Sequence, residues 1–570
     1  MTSKHFFNTN KTGLFIRLLF LLLSLAATVK LCFFSLGIDE EYAVTMAYRI
    51  AAGDRMFLTM WEPHQTSGFV SALFIKIFLT LTGGTDYLVL YLRIGGVCFQ
   101  ALISLFLYTT LKKYTTEGLS FAIALFFYNT LPKWIPSPEF SNMLIWFSVL
   151  AFLCFLRYYA NPLSPFSRLW LIGAGAGLSG LVLSYPSCLL AVWVFFLGMY
   201  LTKKEGFLKD MAVTAGTCLL LGLGYIGYFL GHMSIEEFLY GLSQMMTDGT
   251  HAASAAERLL VYGKEFLSLL PYLGVCLLPG MLAALIFKGC RTLQSFLRLT
   301  LAASLIQQVF IWLSEDSRYL QQPLIYFYIL YFSGIMLSLK KGFLRRSPGL
   351  SPLFFVGSLW GGAVWLCALA ITNTTISVTG SYLMPGLISG LIFLCEEKQA
   401  KEALPVRKAL SAIALLFLLT ATLFAKGYLV CANAGAKDTI AYVKQKALSG
   451  PAKGIYMRYM EGYQYNLFAG LMEKYNLKGA PVLYAGQNQI YYLLGDMTIG
   501  TPSTISTPTF DERLFDYWER NPGHRPLYII CDDANYLEEI KQLLSLEKPL
   551  LEENGFLIFE TKWSEADIGK

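Results

Sequence analysis

Just past its first apolar run the chain sets three successive carboxylates, Asp39, Glu40 and Glu41, in the stretch Gly37-Ile38-Asp39-Glu40-Glu41-Tyr42. A carboxylate held partly out of water at a membrane edge can accept a proton from a hydroxyl, the work of a general base. The same residues also suit a plainer part. Asp39 would be the N-cap, and Glu40 and Glu41 the first-turn acids, of a helix running to Ala52, where the helix dipole favours negative charge. Both readings stay open at this level. The histidines, His5, His64, His232, His251 and His524, are scattered, and none has the i, i+4 spacing of a ligating pair. No metal site is expected from spacing and no cofactor is assigned, although a divalent cation stays compatible with the acids. Nothing has the form of a P-loop, a dinucleotide-binding GxGxxG or a nucleophile elbow. The 11 cysteines include no CxxC pair, so neither a disulfide framework nor a zinc signature is present.

These acids have to be held by a membrane protein. Of 570 residues 55% are hydrophobic and 15% charged, with a mean hydropathy of +0.51, far from the balance of soluble domains. Repeated apolar runs of about twenty residues match the hydrocarbon thickness of a bilayer. Disordered, collagen-like, disulfide-stapled and soluble-enzyme classes are excluded. The net charge of +7 does not mark a nucleic-acid binder, because the basic residues cluster in short loops between apolar runs, as cytoplasmic loops do.

Placing those clusters inside gives an uncleaved first span at 14–36, an interfacial helix at 69–81 and further spans from 88–111 to 409–430, about thirteen in all. The weakest is 118–131; exchanging it for 69–81 would carry Lys112-Lys113 to the outer side, so 118–131 is preferred. Loops 37–68, 132–141 and 231–264 then share the outer face with the tail. In the tail the apolar runs shorten to strand length at 454–456, 482–484, 527–530 and 557–559, with helical patterns at 438–446 and 511–520. The expected fold is a polytopic α-helical membrane protein, 1–433, with a small external C-terminal α/β domain, 434–570.

The order of a first span, Asp39-Glu40, a helix ending at Gly53, the loop Trp61-Glu62-Pro63-His64-Gln65, a short apolar helix, Gly83-Gly84 and then Arg93 resembles the membrane-embedded glycosyltransferases of the GT-C class. Within that class it looks most like the protein-mannosyltransferase and aminoarabinose-transferase branch. The resemblance implies transfer of a sugar from a polyprenyl-phosphate donor on the outer leaflet. By it, Asp39 with Glu40 beside it is the catalytic acidic pair. Glu139, in Pro136-Ser137-Pro138-Glu139-Phe140, is the second acidic position, and Glu62 is the acid before the family's Pro. His64-Gln65 stands where the class often has a Lys or a second Pro, so His64 is a substrate-binding candidate. The stretch Gly175-Ala176-Gly177-Leu178-Ser179-Gly180 before Tyr185-Pro186 is similar to the class's fifth-span pattern.

For such a reaction a base is needed on one side of the anomeric carbon and cations on the other. The outer cations are Arg93, Arg258, Lys264 and Arg318, the last able to bind phosphate while Tyr319 stacks on a sugar or prenyl group. A snorkelling anchor is the plainer part for Arg93, and an ion pair with Glu315 or Asp316 for Arg318. The implied partners are the donor, a glycan, lipid or protein acceptor and the bilayer, without nucleic acid. The implied place is the plasma membrane, N-terminus cytoplasmic, and the implied task an inverting transfer in cell-envelope glycan or glycoconjugate modification. The competing functions are a transporter or flippase of lipid-linked glycans and a catalytically inactive relative. A transporter calls for charged or broken positions in mid-span, whereas the span interiors here carry almost no ionisable residues.

Overall fold

The computed structural model describes residues 11–246, 255–287, 292–313, 325–340, 348–371, 376–395, 405–430, 440–505, 513–544, 546, 548–561 and 563. Within a bilayer each backbone polar group must be bonded inside its own segment, so the apolar runs form helices. In chain order these are α1 (Lys11–Phe33), α2 (Ile38–Ala52), α3 (Gln65–Thr82), α4 (Leu88–Leu111), α5 (Glu117–Asn129), α6 (Phe140–Ala160), α7 (Ser167–Ser184), α8 (Leu189–Thr202), α9 (Phe207–Leu230), α10 (Ile235–Met246), α11 (Ala255–Ile286), α12 (Leu293–Leu313), α13 (Ile325–Leu339), α14 (Leu353–Leu369), α15 (Gly380–Cys395) and α16 (Pro405–Tyr428). Among the described residues nine are long and apolar enough to cross a membrane, and four shorter apolar helices join them. Every predicted span falls on one of these helices. The molecule is a polytopic helical membrane protein with a small C-terminal α/β domain.

Ion pairs sort the two ends of the bundle. Arg17 near the start of α1 pairs with Glu117 at the start of α5 at 3.2 Å, and the Arg157 Nε donates to Thr110 Oγ1 at 2.9 Å. Lys112-Lys113 therefore lie at the end where α1 begins, and α5 runs beside α1 from there, Thr28 Oγ1 donating to the Tyr128 hydroxyl at 3.0 Å. Helix α3, the expected interfacial helix, is one of the nine whose length and hydropathy suffice for a span. Its entry is bonded to the C-terminal domain through Trp61 N to Pro502 O at 2.8 Å, and its exit through Tyr87 N to Gly450 O at 3.2 Å. The segments entering and leaving α3 thus both reach the C-terminal domain, and the helix covers 65–82, longer than the 69–81 expected.

The span interiors do hold buried cations that cap helix C-termini: Arg298 of α12 donates to Leu394 O at 2.9 Å, closing α15, and three more act at the domain face. Arg93 of α4 donates to the carbonyls of Leu31 and Cys32, both at 3.1 Å, and of Phe34 at 3.3 Å, closing α1. Lys426 of α16 donates to Tyr128 O at 3.1 Å and Asn129 Oδ1 at 3.3 Å, closing α5. Lys30 of α1 donates to Leu429 O, closing α16. The last carbonyls of a helix lack intrahelical donors and carry the negative end of its dipole, so a cation there satisfies both needs.

The glycine-rich stretch of α7 is a packing device. A Cβ at Gly177 would come within 2.8 Å of Ala151 N on α6, and one at Gly175 within 2.6 Å of Thr214 O on α9. Small residues let membrane helices approach this closely.

In the C-terminal domain five strands, β3 (Pro481–Ala485), β4 (Thr498–Ile499), β5 (Tyr528–Cys531), β6 (Leu551–Glu553) and β7 (Phe556–Glu560), form a sheet of order β4-β3-β5-β7-β6, and β1 (Val443–Lys446) with β2 (Tyr456–Arg458) form a separate ribbon. Strands β3, β4 and β5 run parallel; β7 is antiparallel to β5 and β6. Of the helix expected over 438–446, residues 438–439 lie outside the described residues, Ile440–Tyr442 is a 3-10 turn, and Val443–Lys446 is strand β1, where pairing with β2 outweighs the helical preference of Lys444-Gln445-Lys446. Alternation along β3 sends Val482 and Tyr484 into a core shared with α2, α3 and α4, and Leu483 and Ala485 into one with Trp61, Tyr517 and Trp518. The first core is thus shared with the membrane domain, and the second belongs to the C-terminal domain with Trp61 inserted into it.

Its seat is also ionic. The buried Arg49 guanidinium meets Asp54 at 2.6 Å and Glu62 at 3.2 Å, while Glu62 accepts from Ser503 Oγ and Thr504 N, both at 2.7 Å. Breaking a buried pair by removing one partner costs about 3 kcal/mol or more. Glu62→Ala is therefore expected to make the C-terminal domain protease-sensitive while the helical bundle stays folded; unchanged cleavage would contradict this seat. Gly177→Val is expected to cost about 2 kcal/mol through overpacking against α6, read as a lowered melting temperature in detergent. Gly224→Val, with nothing within 4 Å of its Cβ, is expected to leave melting unchanged.

Candidate active site

Successive residues of a helix point about 100° apart, so the three carboxylates at the start of α2 face three surroundings. The N-cap is Gly37, without a side-chain cap, so Asp39 does not cap the helix. Glu40 is fully buried in a bidentate pair with Arg93, Nε to Oε1 at 2.9 Å and Nη2 to Oε2 at 2.5 Å. The Ser137 hydroxyl donates to the same Oε1. Glu41 turns under the C-terminal domain, where burial, with Glu461, Glu40 and Asp532 nearby, holds its carboxyl well above the usual carboxylate range. Only Asp39 keeps a partly open side chain, 40% exposed, and its Oδ2 lies 2.9 Å from Lys133 Nζ.

Lys133 comes from the turn Pro132-Lys133-Trp134-Ile135-Pro136-Ser137-Pro138. Lys133 and Trp134 both adopt left-handed backbone, φ 52° and 58°, costing on the order of 1–2 kcal/mol each for residues with a Cβ. The surroundings hold the turn there. Asn142 Nδ2 donates to Ile135 O at 2.7 Å and to Ser137 O at 2.6 Å, and Ser71 Oγ donates to Pro138 O at 2.8 Å. Pro136 O presses on Gly96 of α4, where a Cβ would lie 2.0 Å from it.

Glu139, which ends the turn, caps α6 by accepting from Asn142 N at 2.7 Å and Ser141 N at 2.9 Å. Burial pushes its carboxyl up to about 7 against the pull of Lys133 and the two amides. Burial opposes the Lys133 charge as well, but Asp39 and Glu139 outweigh it and hold the amine above its ordinary value. The result is an ammonium paired with the partly open Asp39 and coupled by charge to the buried Glu139. An aromatic wall flanks it: Lys133 Nζ lies 5.0 Å from the Phe140 ring centroid, and His64 stacks on Phe140 at 4.2 Å and 7°. Tyr382 donates to Ser141 Oγ at 2.7 Å, with the Tyr185 hydroxyl 3.4 Å from its own.

Of the residues singled out from sequence, Asp39 and Glu139 converge through Lys133, and His64 joins them through Phe140. Glu40 is paired with Arg93, whose guanidinium also donates to the end of α1, and Glu62 is paired with Arg49 in the domain seat. Arg318 and Tyr319 lie outside the described residues. Sequence reasoning passed over Lys133, Phe140, Tyr185 and Tyr382. The usable signal was Lys133 itself, a cation between prolines in a loop placed on the side that the basic clusters avoid. A divalent cation fits poorly between carboxylates that already share an ammonium, and among the described residues no three His, Cys, Asp or Glu side chains gather as ligands.

No family model and no curated protein sequence matches the chain. Solved structures align with it at low identity. The Archaeoglobus fulgidus oligosaccharyltransferase tethered to an acceptor peptide is 12% identical over 92% of this chain and 69% of its own, with a TM-score of 0.49. AglB of the same organism, with an inhibitory peptide and a dolichol-phosphate, is 10% identical over 90% and 69%, at 0.46. ArnT from Cupriavidus metallidurans, bound to undecaprenyl phosphate, is 14% identical over 95% and 97%, at 0.43. These are GT-C membrane glycosyltransferases, the class that the sequence resembles. Likeness at this level carries no inference about donor, acceptor or activity.

Proposed function

We propose that this protein is a membrane glycosyltransferase that moves a sugar from a polyprenyl-phosphate donor to a hydroxyl of a glycan, lipid or protein acceptor on the outer face of the plasma membrane, with inversion. The sequence resemblance supplies the donor class. The observation that carries the chemistry is the Asp39–Lys133–Glu139 arrangement, with its single partly open carboxylate at the membrane edge. In the transfer the acceptor oxygen bonds to the anomeric carbon and gives its proton to Asp39, while the bond from that carbon to the phosphate oxygen breaks and its electron pair leaves with the polyprenyl phosphate. Negative charge thus leaves Asp39 as it grows on the phosphate. An ammonium beside the carboxylate is released in the same step to follow that charge, which is how a fixed cation stabilises a transition state more than a ground state. Glu139, both oxygens held by backbone amides, seats Lys133 and does not react.

Purified protein in lipid, given a panel of radiolabelled polyprenyl-phosphate sugars, tests the proposal. Asp39→Asn is expected to keep donor binding and lose transfer by about 10²–10⁴-fold, the usual share of a general base. Absence of wild-type binding to every such donor would overturn the proposal and favour transport. A second expectation concerns pH. Glu139 titrates near 7, so kcat/KM is expected to rise through that pH as its carboxylate forms and secures Lys133, and to flatten in Glu139→Gln. The sign for stability is opposite. A carboxyl raised from its ordinary 4.5 to about 7 binds its proton more tightly when folded, so the fold loses stability as pH climbs across that window. A wild-type rate flat from pH 6 to 8 would rule out this part for Glu139.

A further inference from the structure

The β1–β2 ribbon is joined to the end of the first span. Ser35 N donates to Tyr456 O at 2.6 Å, Phe34 bridges to Tyr456, and the two rings stack at 5.3 Å and 22°. Helix α1 ends one residue earlier, and its outward residues Val29 and Phe33 are exposed, as lipid-facing residues are. The ribbon is therefore fixed at the level where α1 leaves the bilayer. Along β2 Met457 points into the core, so Tyr456 and Arg458 face outward. On β1, Lys444 and Lys446 are exposed, and Lys446 Nζ lies 5.8 Å from the Tyr456 ring centroid. The helix Tyr459–Tyr475 begins immediately after β2. Its first turns present Tyr459 and Met460, each 59% exposed, and Tyr463, 44% exposed; the tyrosine rings lie parallel at 6.2 Å and 11°.

Three large side chains exposed side by side, edged with cations, are costly on a face turned to water and ordinary in a headgroup layer. There tyrosine keeps its ring in the apolar boundary and its hydroxyl in water, and lysines meet lipid phosphates. We propose that this basic and aromatic corner docks the C-terminal domain on the bilayer by binding anionic phospholipid headgroups. Its continuity with the end of α1 selects the membrane as the occupant, and the proposal does not depend on the sugar chemistry.

The test uses the full chain with a photoreactive phenylalanine analogue in place of Tyr459, in vesicles of phosphatidylcholine with about one quarter phosphatidylglycerol, compared with phosphatidylcholine alone. Lipid adducts are expected, severalfold more abundant in the anionic vesicles, and Lys444→Gln with Lys446→Gln is expected to abolish that difference. Hydrogen exchange across the β1–β2 ribbon, measured on the native chain in both vesicles, reads the same contact and shows whether each variant is folded. Adducts formed only with added glycan, or no lipid adducts from a folded variant, would overturn the proposal.

Discussion

The site rests on the buried Glu40–Arg93 pair. Both side chains are at most 1% exposed, and burying two charges is unfavourable unless their remaining donors and acceptors are met. Here they are. The guanidinium closes the end of α1 and grips Glu40, and Ser137 donates to the same carboxylate. One pair therefore ties four pieces together: the end of α1, the first turn of α2, the start of α4 and the turn that carries Lys133. Asp39 precedes Glu40 by one residue and Lys133 precedes Ser137 by four, so the separation of Asp39 and Lys133 is inherited from a contact that neither makes.

The same economy explains where backbone strain collects. Two adjacent left-handed residues persist only where neighbours over-determine them, and the bonds from Asn142 and Ser71 with the contact at Gly96 do so. A relaxed turn would still cap α6 through Glu139, but it would not aim Lys133 at Asp39. Preorganised charge of this kind needs no reorganisation during a reaction, which is the main electrostatic advantage of a folded site over water.

The helices were legible in the sequence because a bilayer permits little else for an apolar run, and the basic loops ordered the ends of the bundle. Strands β3, β5 and β7 were legible as short apolar runs, whereas the run 454–456 meets β2 only at Tyr456. What could not be read was direction. Asp39-Glu40-Glu41 is one motif in one dimension and three unrelated environments in three. Arg93 and Glu62 have the residue types of a phosphate clamp and an active-site acid, and only the fold shows that each is already paired. Lys133 was hidden by its turn, since left-handed backbone at non-glycine residues between prolines has no dependable sequence mark. The fifth-span glycines, matched to a family pattern, proved to answer to Ala151 and Thr214.

Helix α2 joins these levels. Its opening turn sends Asp39 to the candidate site, Glu40 to the bundle and Glu41 beneath the C-terminal domain, and its far end sends Arg49 into the domain seat. Across its 15 residues the helix is stiff, because each backbone bond is shared with its neighbours. A shift of the domain against the bundle is then a shift of α2, and a shift of α2 changes the distance from Asp39 to Lys133. The position of the domain thus bears on the geometry of the Asp39–Lys133 pair.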